Sequence, residues 1–117
     1  MMRSWTLAIG ALLALPAGAV AVGPSIHVSP TTVTAGHHVR VYGRAGGCPA
    51  GDRVTLISRA FRHTHDFAGL PAVFTPVRAG DHYSVRVRIP ASKHGRYAIT
   101  ARCGGGNFGV TAHLRVR

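Results

Sequence analysis

The feature that most constrains this chain is a period-two alternation of apolar and polar residues, repeated in short runs and cut by glycine turns. Tyr83, Val85, Val87 and Ile89 face one way, while Ser84, Arg86 and Arg88 face the other. Val110, Ala112, Leu114 and Val116 alternate with Thr111, His113, Arg115 and Arg117, and Val39 and Val41 with His38, Arg40 and Tyr42. Only an extended strand sends successive side chains to opposite faces in this way. Tyr97, Ile99, Ala101 and Cys103 share a further face, and Ile26 with Val28 and Val54 with Leu56 supply two more strands. Ala72 to Val77 is a seventh candidate, which Pro71 and Pro76 demote to an edge or a loop. Ala35-Gly36, Gly51-Asp52, Gly80-Asp81, His94-Gly95 and Gly104-Gly105-Gly106-Asn107 mark the turns. The entries AGHHVRV, AGDRVTL and AGDHYSV look alike, but their spacings of 15 and 29 residues are too unequal for a repeat. These runs predict an all-β fold: a seven-stranded antiparallel sandwich whose two sheets bury one face each against the other.

The first segment reads as an address. Arg3 precedes an apolar run from Leu7 to Leu15, followed by Pro16 and small residues, the pattern of a secretory signal peptide. Ala17-Gly18-Ala19 and Ala19-Val20-Ala21 both fit a cleavage site. A membrane anchor is the rival, weakened by Pro16 and the Gly and Ala after it. Residues 1–21 are therefore expected to be removed, leaving 22–117 as one exported domain without a transmembrane span. In that setting Cys48 and Cys103, the two cysteines of the chain, are expected to form a disulfide.

Gly43 to Leu56 (GRAGGCPAGDRVTL) and Arg78 to Cys103 (RAGDHYSVRVRIPASKHGRYAITARC) resemble the small secreted immunoglobulin-like domains of high-GC Gram-positive bacteria. Those domains carry a Gly-Cys-Pro-Ala-Gly opening and a Gly-x-Tyr segment leading to the second cysteine. Their Asp-x-x-Gly-aromatic turn is shortened here to Asp81-His82-Tyr83. The resemblance implies a secreted or surface immunoglobulin-like sandwich and names no ligand. It also points to Tyr97 as a corner tyrosine.

Chemistry is sparse. The chain has 14 basic side chains against 3 aspartates and no glutamate, a net charge of +11. It lacks the sequence signatures of hydrolases and of paired-carboxylate glycosidases, and a catalytic role is not expected. No cofactor is expected either. His63, His65 and Asp66 are the densest set of metal-ligand types, weighed against a plain solvated loop. The glycine run after Cys103 lacks the helix and lysine of a P-loop and reads as a hairpin connection.

Charge gives the functional expectation. Alternation places Arg40, Arg44, Arg86 and Arg88 on one sheet and Arg102, Arg115 and Arg117 on the other. Such a cationic exported domain should be drawn to polyanions, and guanidinium forks match phosphate. The partners expected are an anionic cell-wall polymer or lipid headgroups, or else an acidic protein bound by an inhibitor or toxin. Few aromatics interleave with the arginines, which argues against specific nucleic-acid recognition. The segment from Arg59 to Pro71 is a second recognition candidate, with Arg59, Phe61, Arg62 and Phe67 as contacts; one or both phenylalanines capping the core is the alternative. A small-molecule carrier similar to secreted antitumour-antibiotic apoproteins is the remaining reading, and it requires an apolar cleft lined by Phe61, Phe67 or Phe74.

Overall fold

The computed structural model describes residues 23–104 and 106–117, so the expected signal peptide lies outside the described residues. Among the described residues the protein is all-β, with two sheets and a Cys48–Cys103 disulfide. The strands are β1 (His27–Ser29), β2 (Thr32–Val33), β3 (His38–Arg44), β4 (Arg53–Ile57), β5 (His65–Phe67), β6 (Leu70–Pro76), β7 (His82–Arg88), β8 (Gly95–Cys103) and β9 (Gly106–Val116). One sheet has the order β1-β3-β7, and the other β2-β9-β8-β4-β6-β5.

Among the described residues there are nine strands rather than the seven expected, and one pair departs from antiparallel order. The two additional strands are short. Beyond a cis Ser29–Pro30 bond the chain leaves the small sheet, and β2 lies parallel to the end of β9 in the large one. Strand β5 folds back on β6 as a hairpin around Ala68 and Gly69, both at positive φ. The segment from Ala72 is a full strand flanked on both sides. Its prolines stand at the ends of the ladder with β4: Pro76 pairs with Arg53, the first residue of β4, while Pro71 lies past the other end, opposite Asp66 of β5, and accepts from the Ser58 amide through its carbonyl.

The core is what alternation dictates. Val39, Val41, Tyr83 and Val87 from the small sheet meet Val54, Leu56, Ile99, Ala101 and Leu114 from the large one. Tyr83 is buried, and its hydroxyl donates to the Ser25 carbonyl at 2.6 Å, tying the N-terminal segment to β7. The same carbonyl lies so close to Gly43 that a Cβ there would overlap it. Asp81, at φ 64°, accepts from the amides of Gly46 and Gly47 at 3.1 Å each, so a single carboxylate fixes the β3–β4 connection to the start of β7. Tyr97 donates to the His94 carbonyl at 2.9 Å, three residues upstream. The disulfide joins the β3–β4 connection to the end of β8, with 6.2 Å between Cα atoms.

Phe61 corrects one expectation. It is fully buried in the core, so it is not a loop contact, and of the readings weighed for this loop the core-capping one holds for it. A turn with the Phe61 amide bonded to the Ser58 carbonyl carries the side chain inward. Phe61→Ala is expected to cost about 3–5 kcal/mol in chemical denaturation, and Phe67→Ala under about 1.5 kcal/mol. Equal losses would contradict this division. Replacing both cysteines by serine should remove roughly 4 kcal/mol, because the bridge spans 55 residues; an unchanged denaturation midpoint would show that it stabilises little.

Candidate functional site

The outer face of the three-stranded sheet collects charge because β3 and β7 pair in a register that aligns their polar residues. His38 lies opposite Arg88, Arg40 opposite Arg86, Tyr42 opposite Ser84 and Arg44 opposite His82. The residues between them in β3, Val39, Val41 and Gly43, are buried. On the far side of β3, β1 sets His27 beside Tyr42 and Ser29 beside Arg40. None of the three aspartates lies in the strands of this sheet.

Like charges set directly opposite one another are unfavourable across a strand pair, by a few tenths to about 1 kcal/mol. Local bonds orient two of the guanidinium groups. Arg40 donates from one terminal nitrogen to Ser84 Oγ at 3.0 Å, and Arg88 donates through Nε to the Gly36 carbonyl at 3.0 Å. Each of these bonds uses one of five N–H donors. His38 is held below the usual imidazole range by local desolvation, then by the Arg86, Arg88 and His37 charges. Tyr42 is 37% exposed and is the exposed large hydrophobic side chain among the described residues. Its ring meets that of His27 at 5.3 Å between centroids. A groove of about 380 Å³ runs here between His27, Arg40, Tyr42, Arg44 and His82.

The other arginines are used differently. Arg102 is partly buried with its Cζ 4.8 Å from the Phe67 ring centroid, and Arg53 lies 4.0 Å over Phe74. Arg115 faces Arg96 across β8 and β9, and Arg117 follows β9, its amide bonded to the Val33 carbonyl. The seven arginines singled out from the sequence therefore occupy separate places, with Arg40, Arg44, Arg86 and Arg88 brought together. Sequence reasoning passed over His38, His82 and Tyr42, although the same alternation places them on the cationic face. It also passed over Arg53 and Arg96, whose neighbours Phe74 and Arg115 come from other strands.

In the Arg59–Pro71 segment, Arg59 and Arg62 are exposed and Phe67 is half-buried. His63 Nε2 and Asp66 Oδ1 are 2.7 Å apart, and the Gly69 amide donates to Asp66 Oδ2 at 3.1 Å. The His63 hydrogen bond, then that amide, hold the Asp66 carboxyl below its ordinary value. His65 stacks on Phe74 at 4.9 Å instead of joining them. Among the described residues the set with three ligating atoms within 4.8 Å is Cys48, Asp52 and Cys103, and both cysteines are closed in the disulfide. Ser58 is buried, with its Oγ accepting from the Ala60 amide.

No protein-family model and no curated protein matches the sequence. Solved structures do match in fold. The chain is similar to the Yersinia pseudotuberculosis adhesin InvE at a TM-score of 0.57 and 16% identity, over 80% of this chain and 26% of that one. It is similar to the Pseudomonas fluorescens alkylpurine DNA glycosylase AlkC, in a structure bound to DNA containing an abasic site analog, at a TM-score of 0.53 and 16% identity, over 80% of this chain and 29% of that one. The chain thus spans less than a third of either protein, and the likeness is one of fold.

Proposed function

We propose that this chain is an exported, non-catalytic immunoglobulin-like module that associates with anionic cell-envelope components through the outer face of its three-stranded sheet. The observation that carries the reading is the pairing of Arg40 with Arg86, flanked by Arg88 and Arg44, on a sheet whose strands contain no carboxylate. A polyanion would offset the repulsion that the fold leaves there, and do so in a salt-dependent way.

Export is supported by the leader-like first 21 residues and by the disulfide, which persists in oxidising compartments. No helix among the described residues is long and apolar enough to cross a membrane. The immunoglobulin-like reading rests on the two-sheet architecture, the sequence resemblance and the Tyr97 bond to upstream backbone. The carrier reading gains nothing comparable, since Phe61 is in the core and the rings of Phe67 and Phe74 each have an arginine over them.

Co-sedimentation of the oxidised protein with isolated envelopes across a salt series tests the proposal. Pelleting should fade with salt, and Arg86→Ala with Arg88→Ala should flatten the log–log salt slope by roughly 1.5–2. Absence of pelleting at low salt would overturn the reading. A bound polyanion should also counter the Arg86 and Arg88 charges that help hold His38 low. The His38 pKa is then higher in the complex than in the free protein, so binding takes up a proton and tightens as pH falls through that range. Proton NMR of the His38 ring should show its midpoint rising when the polyanion is added; an unmoved midpoint would remove His38 from the interface.

A further inference from the structure

Resting on that reading, we infer that the cationic face takes one kind of polyanion: a linear phosphodiester polymer with a short spacer, its phosphates recurring about every 6–7 Å, laid along β3 and β7. Spacing along and across the strands sets this choice. Residues on the same face of a strand recur every second position, about 6.8 Å apart, and directly opposed neighbours stand about 5 Å apart. The face is therefore a ladder of four rungs, His38–Arg88, Arg40–Arg86, Tyr42–Ser84 and Arg44–His82. It spans roughly 20 Å from His38 to Arg44. Three rungs hold two cationic or titratable basic side chains each. The remaining rung offers Tyr42, which is exposed, and Ser84, whose hydroxyl accepts from Arg40.

A polymer with successive phosphates joined through a three-carbon unit places one charge at each rung. Chains charged about every 10 Å, as in a uronate alternating with a neutral sugar, meet the first and last rungs but miss the Arg40–Arg86 rung between them. A flat bilayer is a poorer fit, because a sheet twists and a plane cannot follow all four rungs together. Single-stranded nucleic acid has a comparable phosphate repeat but binds through a row of aromatic platforms for its bases. This ladder has no such row: its one phenol ring, Tyr42, already meets the ring of His27, and its other rings are the imidazoles of the two end rungs.

The test is calorimetric titration of the oxidised protein with synthetic glycerol-phosphate oligomers of increasing length. Inorganic phosphate, a hyaluronate-type oligomer, oligothymidylate and phosphatidylglycerol vesicles serve as comparisons. Affinity should rise up to about four phosphates, by roughly fivefold for each that reaches a basic rung and by less for the one at Tyr42–Ser84, and only slowly beyond. Arg40→Ala with Arg86→Ala should weaken binding at least tenfold, whereas Arg96→Ala with Arg115→Ala should change it less than about twofold. Backbone amide shifts should concentrate in β3 and β7. Affinity that follows total charge whatever the spacing, or tighter binding of oligothymidylate at equal charge, would overturn the inference. If vesicles or envelopes bind through Arg40 and Arg86 while the glycerol-phosphate oligomers do no better than the uronate chain, the spacing argument fails and the basic-face reading stands. If no anionic probe binds, both fail.

Discussion

The register between β3 and β7 is the constraint on which the rest depends. Because side chains alternate with a period of two, a slip of β7 by one residue against β3 would bury Arg86 and expose Val87. Two contacts from outside the ladder hold the register. Asp81 bonds the amides of Gly46 and Gly47, which fixes the start of β7 against the end of β3. Tyr83 bonds the Ser25 carbonyl, which itself rests against Gly43, and that neighbour can only be glycine. The buried valines set which face is inward, and these contacts set which residues stand opposite one another. The cationic ladder is the outward image of a register chosen by the core.

The few carboxylates make that image unusually one-sided. Asp81 is spent on two loop amides and Asp66 on His63 and Gly69. Asp52 sits beside the disulfide, at the turn between Pro49 and β4. Each aspartate therefore shapes a connection, and none lies in a strand of the small sheet. In a chain with a more even balance, cross-strand positions such as Arg40 and Arg86 would ordinarily hold opposite charges. Here the fold keeps like charges opposed, and the compensation falls to solvent, salt or a bound anion.

How much of this was legible depended on the length scale of each feature. Alternation is local, so the strands through Val39–Val41, Tyr83–Ile89 and Val110–Val116, together with the outward direction of their arginines, could be read directly. Strand β2 is two residues long and β5 is His65-Asp66-Phe67, too short and too polar to carry a periodic signal. Prolines hid β6, since their cost depends on which backbone groups face a neighbour, and that follows from the pairing of β6 with β4. Phe61 stands in a polar stretch and gives no local sign that it turns into the core. The arginines pose the same difficulty in another form. Alternation shows that Arg102 points away from its apolar neighbours, but the ring it lies over, Phe67, belongs to β5, which stands beyond β4 and β6 in the sheet and gives no local sign of that contact.

Guanidinium groups are consequently placed in two ways in one small domain: over rings, as Arg53 and Arg102 are, or opposite one another, as in Arg40–Arg86 and Arg96–Arg115. Arg53 and Arg102 lie over phenylalanine rings on the large sheet, where a delocalised cation covers apolar surface and gains from the ring face. Their stems contribute to packing, and an anion binding there would compete with the ring for the same charge. Arg40 and Arg86 have no ring of this kind and face each other instead. For them a phosphate between the two forks would replace a repulsion with charge-assisted hydrogen bonds. The net charge of +11 draws the protein toward polyanions in general. The ladder on β3 and β7 is where that attraction acquires a direction and a spacing.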